Sequence, residues 1–506
     1  MIHKNQRRIA AALIVPMMGI GLTVPVGADN GTDTSALRTA VSAAGIVEHL
    51  EELQAIADAD EDNRAAGTEG HVESAEYVEQ QLLAAGYDPY RQYFSYDKSI
   101  VDTAVLELVT PNPTTYAYGV DYLEMDFATE GDVTAPIEAV DINLTGDRAS
   151  TSGCEAADLD DFTAGGIALI QRGTCTFRVK ADNALAAGAV GVIIFNQGDV
   201  SATEDREALF GGTLDAPTFP LPVFSATFAV GEELASQDGA AVRLAFDARI
   251  ETVDTFNVLA DTGGRADRTV VVGGHLDSVA EGPGINDNGS GIASILETAI
   301  QLAELGITPT NQIRFAFWSG EEDGLIGSDH YVSQLTKKEI KGHAVNLNFD
   351  MVGSPNFVRF VYDGDGDAFG TKGPNGSNVV EDVFVDYFDS QGLATEPTAF
   401  DGRSDYFGFI ENGIPAGGLF TGAEDIKTVD QAAVYGGTAG VAYDACYHAA
   451  CDDIDNVDLQ VLEEMADAIA HATLTFAQTT SSVNGTAKGK GAGSTDLPFK
   501  GNSALR

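Results

Sequence analysis

The chain has 506 residues, 44% of them hydrophobic, enough for a large buried core and more than one domain. Its 77 acidic residues outnumber 28 basic ones, for a net charge of -49, which excludes a nucleic-acid partner because gripping phosphates needs a basic face. The acidity reads as a solvated surface suited to high salt rather than as a device for one cationic partner.

Lys4, Arg7 and Arg8 precede an apolar run over 9–26 that is broken by Pro16, Gly19, Gly21 and Pro25 and closed by the small residues Gly27 and Ala28. That pattern predicts a signal peptide over 1–28, hence a secreted, extracellular protein with no membrane contact after cleavage. No later segment is long and apolar enough to span a bilayer. Residues 29–125 are expected to open the main domain. They show helical spacing over 47–57, a loop over 63–70, a helix through Val72, Ala75, Val78, Leu82 and Leu83 ended by Gly86, and strand-like alternation over 93–109. Composition shifts near Asp126, and 126–250 are expected to form a small inserted, β-rich domain. Short buried-strand runs stand at 167–170, 190–195 and 221–224, with a helical stretch over 180–187 closed by Gly188. This segment carries no cluster of histidines and carboxylates, so a structural or substrate-gating role is the better reading.

From 251 to 480 strand and helix patterns alternate again. That predicts an α/β fold with a mostly parallel sheet and helices on both faces. The tail, 481–506, is rich in Gly, Ser, Lys and Thr and is expected to be disordered or removed. The apolar run 270–274 ends in His275, 313–317 runs into Glu321-Glu322, and 345–349 ends in Asp350. Asp287 falls in a loop before an amphipathic helix with Ile292, Ile295, Leu296, Ala299 and Ala303 on one face, and His448 lies in a loop between Cys446 and Cys451. In open α/β sheets, ligands bind beyond the carboxyl ends of the strands.

A histidine at a strand end is ordinarily a polar rim residue and a Glu-Glu pair a solvated turn. Ligand-type residues at five separate strand ends and loops are harder to explain as surface. Two imidazoles and several carboxylates without a thiolate suit zinc, and a carboxylate can bridge two ions about 3.5–4 Å apart. Asp277, two residues after His275, can orient its imidazole. Glu321 and Glu322 would point apart in extended backbone, one toward metal and the other toward substrate. The run Asp363-Gly364-Asp365-Gly366-Asp367 resembles the start of an EF-hand, but its sixth position is Ala368 and its twelfth Pro374, so it reads as a polar loop near the site.

Four cysteines in an exported chain suggest two disulfides, and three pairings are possible. Sequence proximity favours Cys154 with Cys175 and Cys446 with Cys451.

The stretches His275-Leu276-Asp277-Ser278, Gly284-Ile285-Asn286-Asp287-Asn288-Gly289-Ser290-Gly291, Ser319-Gly320-Glu321-Glu322, Asn348-Phe349-Asp350-Met351 and Tyr447-His448 together resemble the signature of the dizinc aminopeptidases of the secreted leucine aminopeptidase and aminopeptidase Y type. The resemblance covers about 46–476. Residues 169–177 and 186–193 resemble a protease-associated domain. The first resemblance implies two zinc ions, one on His275 and Asp350, the other on Glu322 and His448, with Asp287 bridging. It further implies Glu321 as general base, Tyr447 as hydrogen-bond donor to the oxyanion, and Arg403 and Phe420 beside the substrate. The implied substrates are peptides with a free N-terminus, cut after a large apolar first residue such as leucine. Two rival readings remain: a carboxypeptidase on the same scaffold, for which Arg403 would have to hold the substrate's carboxylate, and a non-catalytic binding protein.

Overall fold

The structure is a computed structural model that describes residues 31–146, 148–198, 206–214 and 218–484. The expected signal peptide lies outside these residues. In chain order the strands are β1 (Tyr90–Leu108), β2 (Thr114–Thr115), β3 (Tyr122–Glu124), β4 (Gly131–Val140), β5 (Ile167–Gln171), β6 (Gly191–Phe195), β7 (Val223–Ala226), β8 (Ala241–Asp261), β9 (Arg265–His275), β10 (Asn311–Trp318), β11 (His343–Phe349), β12 (Phe360–Tyr362), β13 (Glu396–Thr398) and β14 (Ala416–Phe420). The helices are α1 (Ser35–Ala40), α2 (Ala43–Ala59), α3 (Glu69–Ala84), α4 (Phe177–Ala186), α5 (Phe228–Ala235), α6 (Gly291–Glu304), α7 (Ile326–Ser333), α8 (Lys337–Gly342), α9 (Ser377–Gln391), α10 (Phe407–Glu411), α11 (Val429–Tyr435), α12 (Leu459–Gln478) and α13 (Ser481–Asn484).

At the centre of the main lobe, β9 pairs in parallel with β10 and β11, and β11 with β14. All four strands therefore end on the same side of the sheet. Antiparallel neighbours flank them, β8 beside β10 and β12 beside β14. The two-residue period of a strand explains why helices cover both faces. Val270 and Val272 of β9, with Ile313, Phe315 and Phe317 of β10, face a core shared with α2, α3, α6, α9 and α12. Val271, Ala316 and Trp318 face the other way, onto Tyr331 and Val332 of α7 and Phe409 of α10. Such burial on both faces selects near-continuous apolar strands over an alternating pattern.

The inserted lobe is built on β4-β5-β6-β7, with each adjacent pair parallel, and β3 runs antiparallel to β7 at the edge. α4 packs on one face, against Ala168, Ile170, Val192 and Ile194, and α5 on the other, in a core around Ile167, Leu169, Ile193, Phe195 and Phe224. The same core takes in Leu106, Leu108, Tyr116 and Tyr122, which precede the expected boundary at 126. The physical reason is that β1 does not stop at the lobe edge. β1 and β8 form one antiparallel ribbon, from Tyr90 opposite Leu259 to Leu108 opposite Val242, with a register shift between Val101 and Thr103. One end of the ribbon belongs to the main sheet through the pairing of β8 with β10, and the other to the insert through the pairing of β8 with β4. The ribbon is exposed between its two ends, where Ile250 has 68% of its surface open to solvent.

At the far end of the chain the tail does not begin as expected. Ser481–Asn484 form a short helix, and the Asn484 side chain donates to the carbonyl of Ala344. The rest of the tail lies outside the described residues. Among the described residues no helix is long and apolar enough to cross a membrane.

Candidate metal and substrate site

His275 is the last residue of β9 and is buried. Its Nδ1 donates to the main-chain carbonyl of Asp277 at 3.0 Å, which turns Nε2 into the crevice. There Nε2 lies 3.3 Å from Asp287 Oδ1 and 3.3 Å from Asp350 Oδ1. The other oxygen of Asp287, Oδ2, lies 3.3 Å from His448 Nε2, and that nitrogen is 3.1 Å from Glu322 Oε2. Asp287 thus has one oxygen toward each imidazole, the arrangement a bridging carboxylate requires. Glu321 Oε2 stands 4.0 Å from His275 Nε2. Ligand atoms of His275, Glu321 and Asp350, and of His275, Asp287 and Glu322, lie within 4.8 Å of one another in each set.

Asp277 does not orient the imidazole through its side chain as expected. Its carbonyl, not its carboxylate, meets the imidazole. The carboxylate instead accepts from the backbone N–H groups of Glu321 and Glu322, at 3.3 and 3.4 Å. Both glutamates sit in a turn after β10, entered through Gly320 at φ +74°, and not in extended backbone. A turn lets adjacent side chains converge, and both line the same cleft.

Much of the support for these residues comes from neighbouring polar groups. The loop 285–290 departs from helical backbone at Asp287 and Asn288 and leads directly into α6. Asn288 holds it against the end of β11 by donating to the Phe349 carbonyl at 2.9 Å and accepting from the Met351 N–H at 3.2 Å. Asp452 accepts from the N–H groups of Asn286 and Asp287 at 2.9 and 3.0 Å. Ser404 donates to Asp350 Oδ2 at 2.5 Å and accepts from Asn348 at 2.8 Å. Arg64 is fully buried, and its guanidinium donates to the carbonyls of Leu276, Pro283 and Gly284, stitching together the loops after β9 and before α6. One signal for Arg64 was present in the sequence: it is one of only 28 basic residues.

On the rim, the Tyr447 ring stacks on His448 at 3.8 Å between centroids. Arg403 donates to the Tyr447 hydroxyl oxygen at 3.2 Å and to Glu424 at 2.8 Å. The phenol oxygen therefore accepts from Arg403 while its own proton remains available to a substrate oxygen. Phe420 lines the cleft with Met351, Tyr362 and Ala423, whereas Leu419 turns into the core. The cleft opens to solvent. The loop after β12 is closed by Asp363, whose carboxylate accepts from the N–H groups of Gly366, Ala368 and Phe369. The disulfides join Cys154 to Cys175 and Cys446 to Cys451.

The electrostatics are those of a cation site. Burial raises Glu322 to about 7, helped by the Asp287 charge, and lifts Glu321 well above the carboxylate range, with Glu322 and Asp350 adding to it. Burial would lower both imidazoles, but the carboxylates prevail. Glu322 and Asp287 bring His448 up to about 10, and Glu321 and Asp350 hold His275 well above its ordinary value. Glu322 Oε1 is buried without a hydrogen-bond partner. Buried carboxylates are ordinarily paired or bound to metal, so two imidazoles, a split aspartate and an unpartnered carboxylate oxygen fit divalent zinc well.

Comparison with known proteins gives two domain matches: Peptidase family M28 over residues 257–473 and a PA domain over residues 133–234. The chain is 46% identical over 441 residues to an aminopeptidase of Pseudomonas aeruginosa, covering 86% of this chain and 80% of that one. It is 39% identical over 432 residues to a probable leucine aminopeptidase 2 of Aspergillus fumigatus, covering 84% and 81%. Among solved structures it resembles a zinc aminopeptidase from Bacillus subtilis, with TM-score 0.61 and 25% identity over 90% of this chain and 98% of that one.

Proposed function

Because the chain belongs to peptidase family M28 and carries an inserted PA domain, we propose that it is an exported aminopeptidase dependent on two zinc ions, removing large apolar residues such as leucine from peptide N-termini. The observation that carries this reading is the split of Asp287 between His275 and His448, with Asp350 beside the first imidazole and Glu322 beside the second. In this reading His275 and Asp350 would hold one ion and Glu322 and His448 the other, with Asp287 placed between the two pairs. Two cations bound there supply Lewis acidity, which acidifies water and polarises the scissile carbonyl.

The chain's own groups do the rest. Glu321, buried beside the ligands but on no imidazole at bonding distance, takes the proton of the attacking water and returns it to the leaving amine. The Tyr447 hydroxyl, held by Arg403, donates to the oxygen on which negative charge develops. Phe420 and Met351 offer an apolar wall to the first side chain. The acidic lining favours a free α-amino group, which has a pKa near ~8 and is largely cationic at neutral pH. Arg403 is engaged by Glu424 and Tyr447, which argues against its serving as the carboxylate anchor of a carboxypeptidase. Export rests on the basic and apolar pattern of residues 1–28 together with two disulfides.

One leucyl peptide in free, N-acetylated and C-amidated forms, followed by mass spectrometry, tests the direction of cleavage. The free and amidated forms should shorten from the N-terminus and the acetylated form should persist. Shortening of the acetylated form from its C-terminus would refute the reading.

A further inference from the structure

The turn that carries Glu321 and Glu322 is gripped from two sides. On the inner side Asp277 accepts both of its N–H groups. On the outer side the next residue, Asp323, points away from the cleft toward the interlobe ribbon. One of its carboxylate oxygens accepts from the Tyr96 hydroxyl, and the other lies 2.6 Å from Lys98 Nζ. Tyr96 and Lys98 are two residues apart on β1, so the strand period puts both on one face. The Tyr96 ring also closes over the turn: a Cβ added at Gly320 would sit 3.4 Å from its Cε1.

The placement of this contact gives it meaning. Tyr96 lies opposite Val253 and Lys98 opposite Glu251, in the exposed waist of the ribbon, between the main core and the insert's core. Nothing in the reaction requires a lysine there, and the Asp323 side chain is only 10% exposed. A solvated surface pair contributes little, but a short pair that is largely covered and shares its carboxylate with a phenol fixes geometry.

We propose that Asp323 is a positioning residue through which Tyr96 and Lys98 of the interlobe ribbon set the orientation of the Glu321-Glu322 turn, so that the seating of the inserted lobe governs turnover. This rests on the assignment of Glu321 as general base. A base misplaced by a fraction of an ångström to 1 Å loses rate while substrate binding is little changed. The inserted lobe, attached by the ribbon, then acts on kcat without touching the substrate.

The test uses the full-length zinc enzyme with a chromogenic leucine anilide, measuring kcat, KM, bound zinc and melting temperature for Lys98→Met, Lys98→Arg, Tyr96→Phe, Asp323→Asn and the double variant Lys98→Met/Asp323→Asn. The expected result is a fall in kcat of about tenfold for Lys98→Met and Asp323→Asn, with KM and zinc content unchanged. Lys98→Arg should recover most of the rate, and the double variant should be no slower than Asp323→Asn alone. Unchanged kcat in Lys98→Met and Asp323→Asn overturns the proposal. So do losses that add in the double variant, or losses that track melting temperature and zinc content without recovery by Lys98→Arg. Glu321→Gln run in parallel separates the two claims. If it keeps normal turnover, the base assignment falls, whatever the Lys98 and Asp323 series shows.

Discussion

The inserted lobe and the main lobe repeat one construction, a buried parallel strand leading through a loop to a helix, yet they treat buried polar groups in opposite ways. In the insert, Lys180 of α4 is fully buried, and its ammonium donates to the carbonyls of Ser152 and Gln171. Burial brings its pKa down to about 8. The Gln171 amide in turn donates to the carbonyls of Asn143 and Gln197 at 3.0 and 2.9 Å. Beyond β9, β10 and β11, by contrast, the buried groups are carboxylates turned toward imidazoles and toward each other, and Glu322 keeps one oxygen without a partner. A lone buried charge met by main-chain carbonyls is a structural post. Like charges turned on one another are expensive to bury and are completed by a cation from outside.

Removing the metal puts the most pressure on that contrast. Dialysis against a chelator should bring peptidase activity to background, and elemental analysis of the active protein should find about two zinc ions per chain. Full activity without stoichiometric metal would erase the distinction between the lobes. Glu321→Gln comes next. It should retain zinc and lose roughly 10²–10⁴ in turnover, the usual worth of general-base catalysis, as measured by steady-state kinetics on a leucine anilide.

The two disulfides compare the lobes directly. Replacing Cys446 and Cys451 by serine frees the loop of Tyr447 and His448 and should reduce activity by about tenfold or more, because that loop places a proposed ligand. Replacing Cys154 and Cys175 should leave the rate nearly intact and cost ~2–4 kcal/mol of stability, read by denaturant unfolding. Equal effects on activity would show that the insert's own interior, and not only its seating on the ribbon, controls the rate. The smallest effect should follow Lys180→Met. It strips a donor from two buried carbonyls, for about 1–3 kcal/mol of stability with kcat unmoved.

The legibility of the site in the sequence followed chain geometry. His275 and Asp350 stand at the ends of apolar runs, and Glu321-Glu322 shortly after one, so a strand pattern alone located them. Their gathering in one crevice follows from the parallel pairing of β9 with β10 and β11. Residues whose partners are distant carbonyls were silent. Arg64 acts on Pro283, 219 residues away, and no local period announces such a bond. Asp277 was legible as a neighbour of the imidazole but not as the acceptor for the glutamate turn, because that depends on how β10 ends. The insert's boundary was blurred for a related reason: a 19-residue strand without Gly or Pro runs from one core into the other.

The ribbon also has a consequence for the order in which the protein is made. The insert closes on itself within β1 and β8, residues 90 to 261, whereas the main lobe needs its two ends together: Thr34 bonds to His471 across 437 residues, and α1 lies against α12. During synthesis from the N-terminus, the insert's whole chain is out long before α12 appears. The early-made helices α1, α2 and α3 must then wait with their apolar faces bare, since long-range closure is slow and comes last. Nascent chains stopped near residue 300 should already hold a protease-resistant inserted lobe, and the main lobe should become resistant only once α12 has been released. The inserted lobe is then the first folded body the chain possesses, on which the N-terminal half of the peptidase is carried until its last helix arrives.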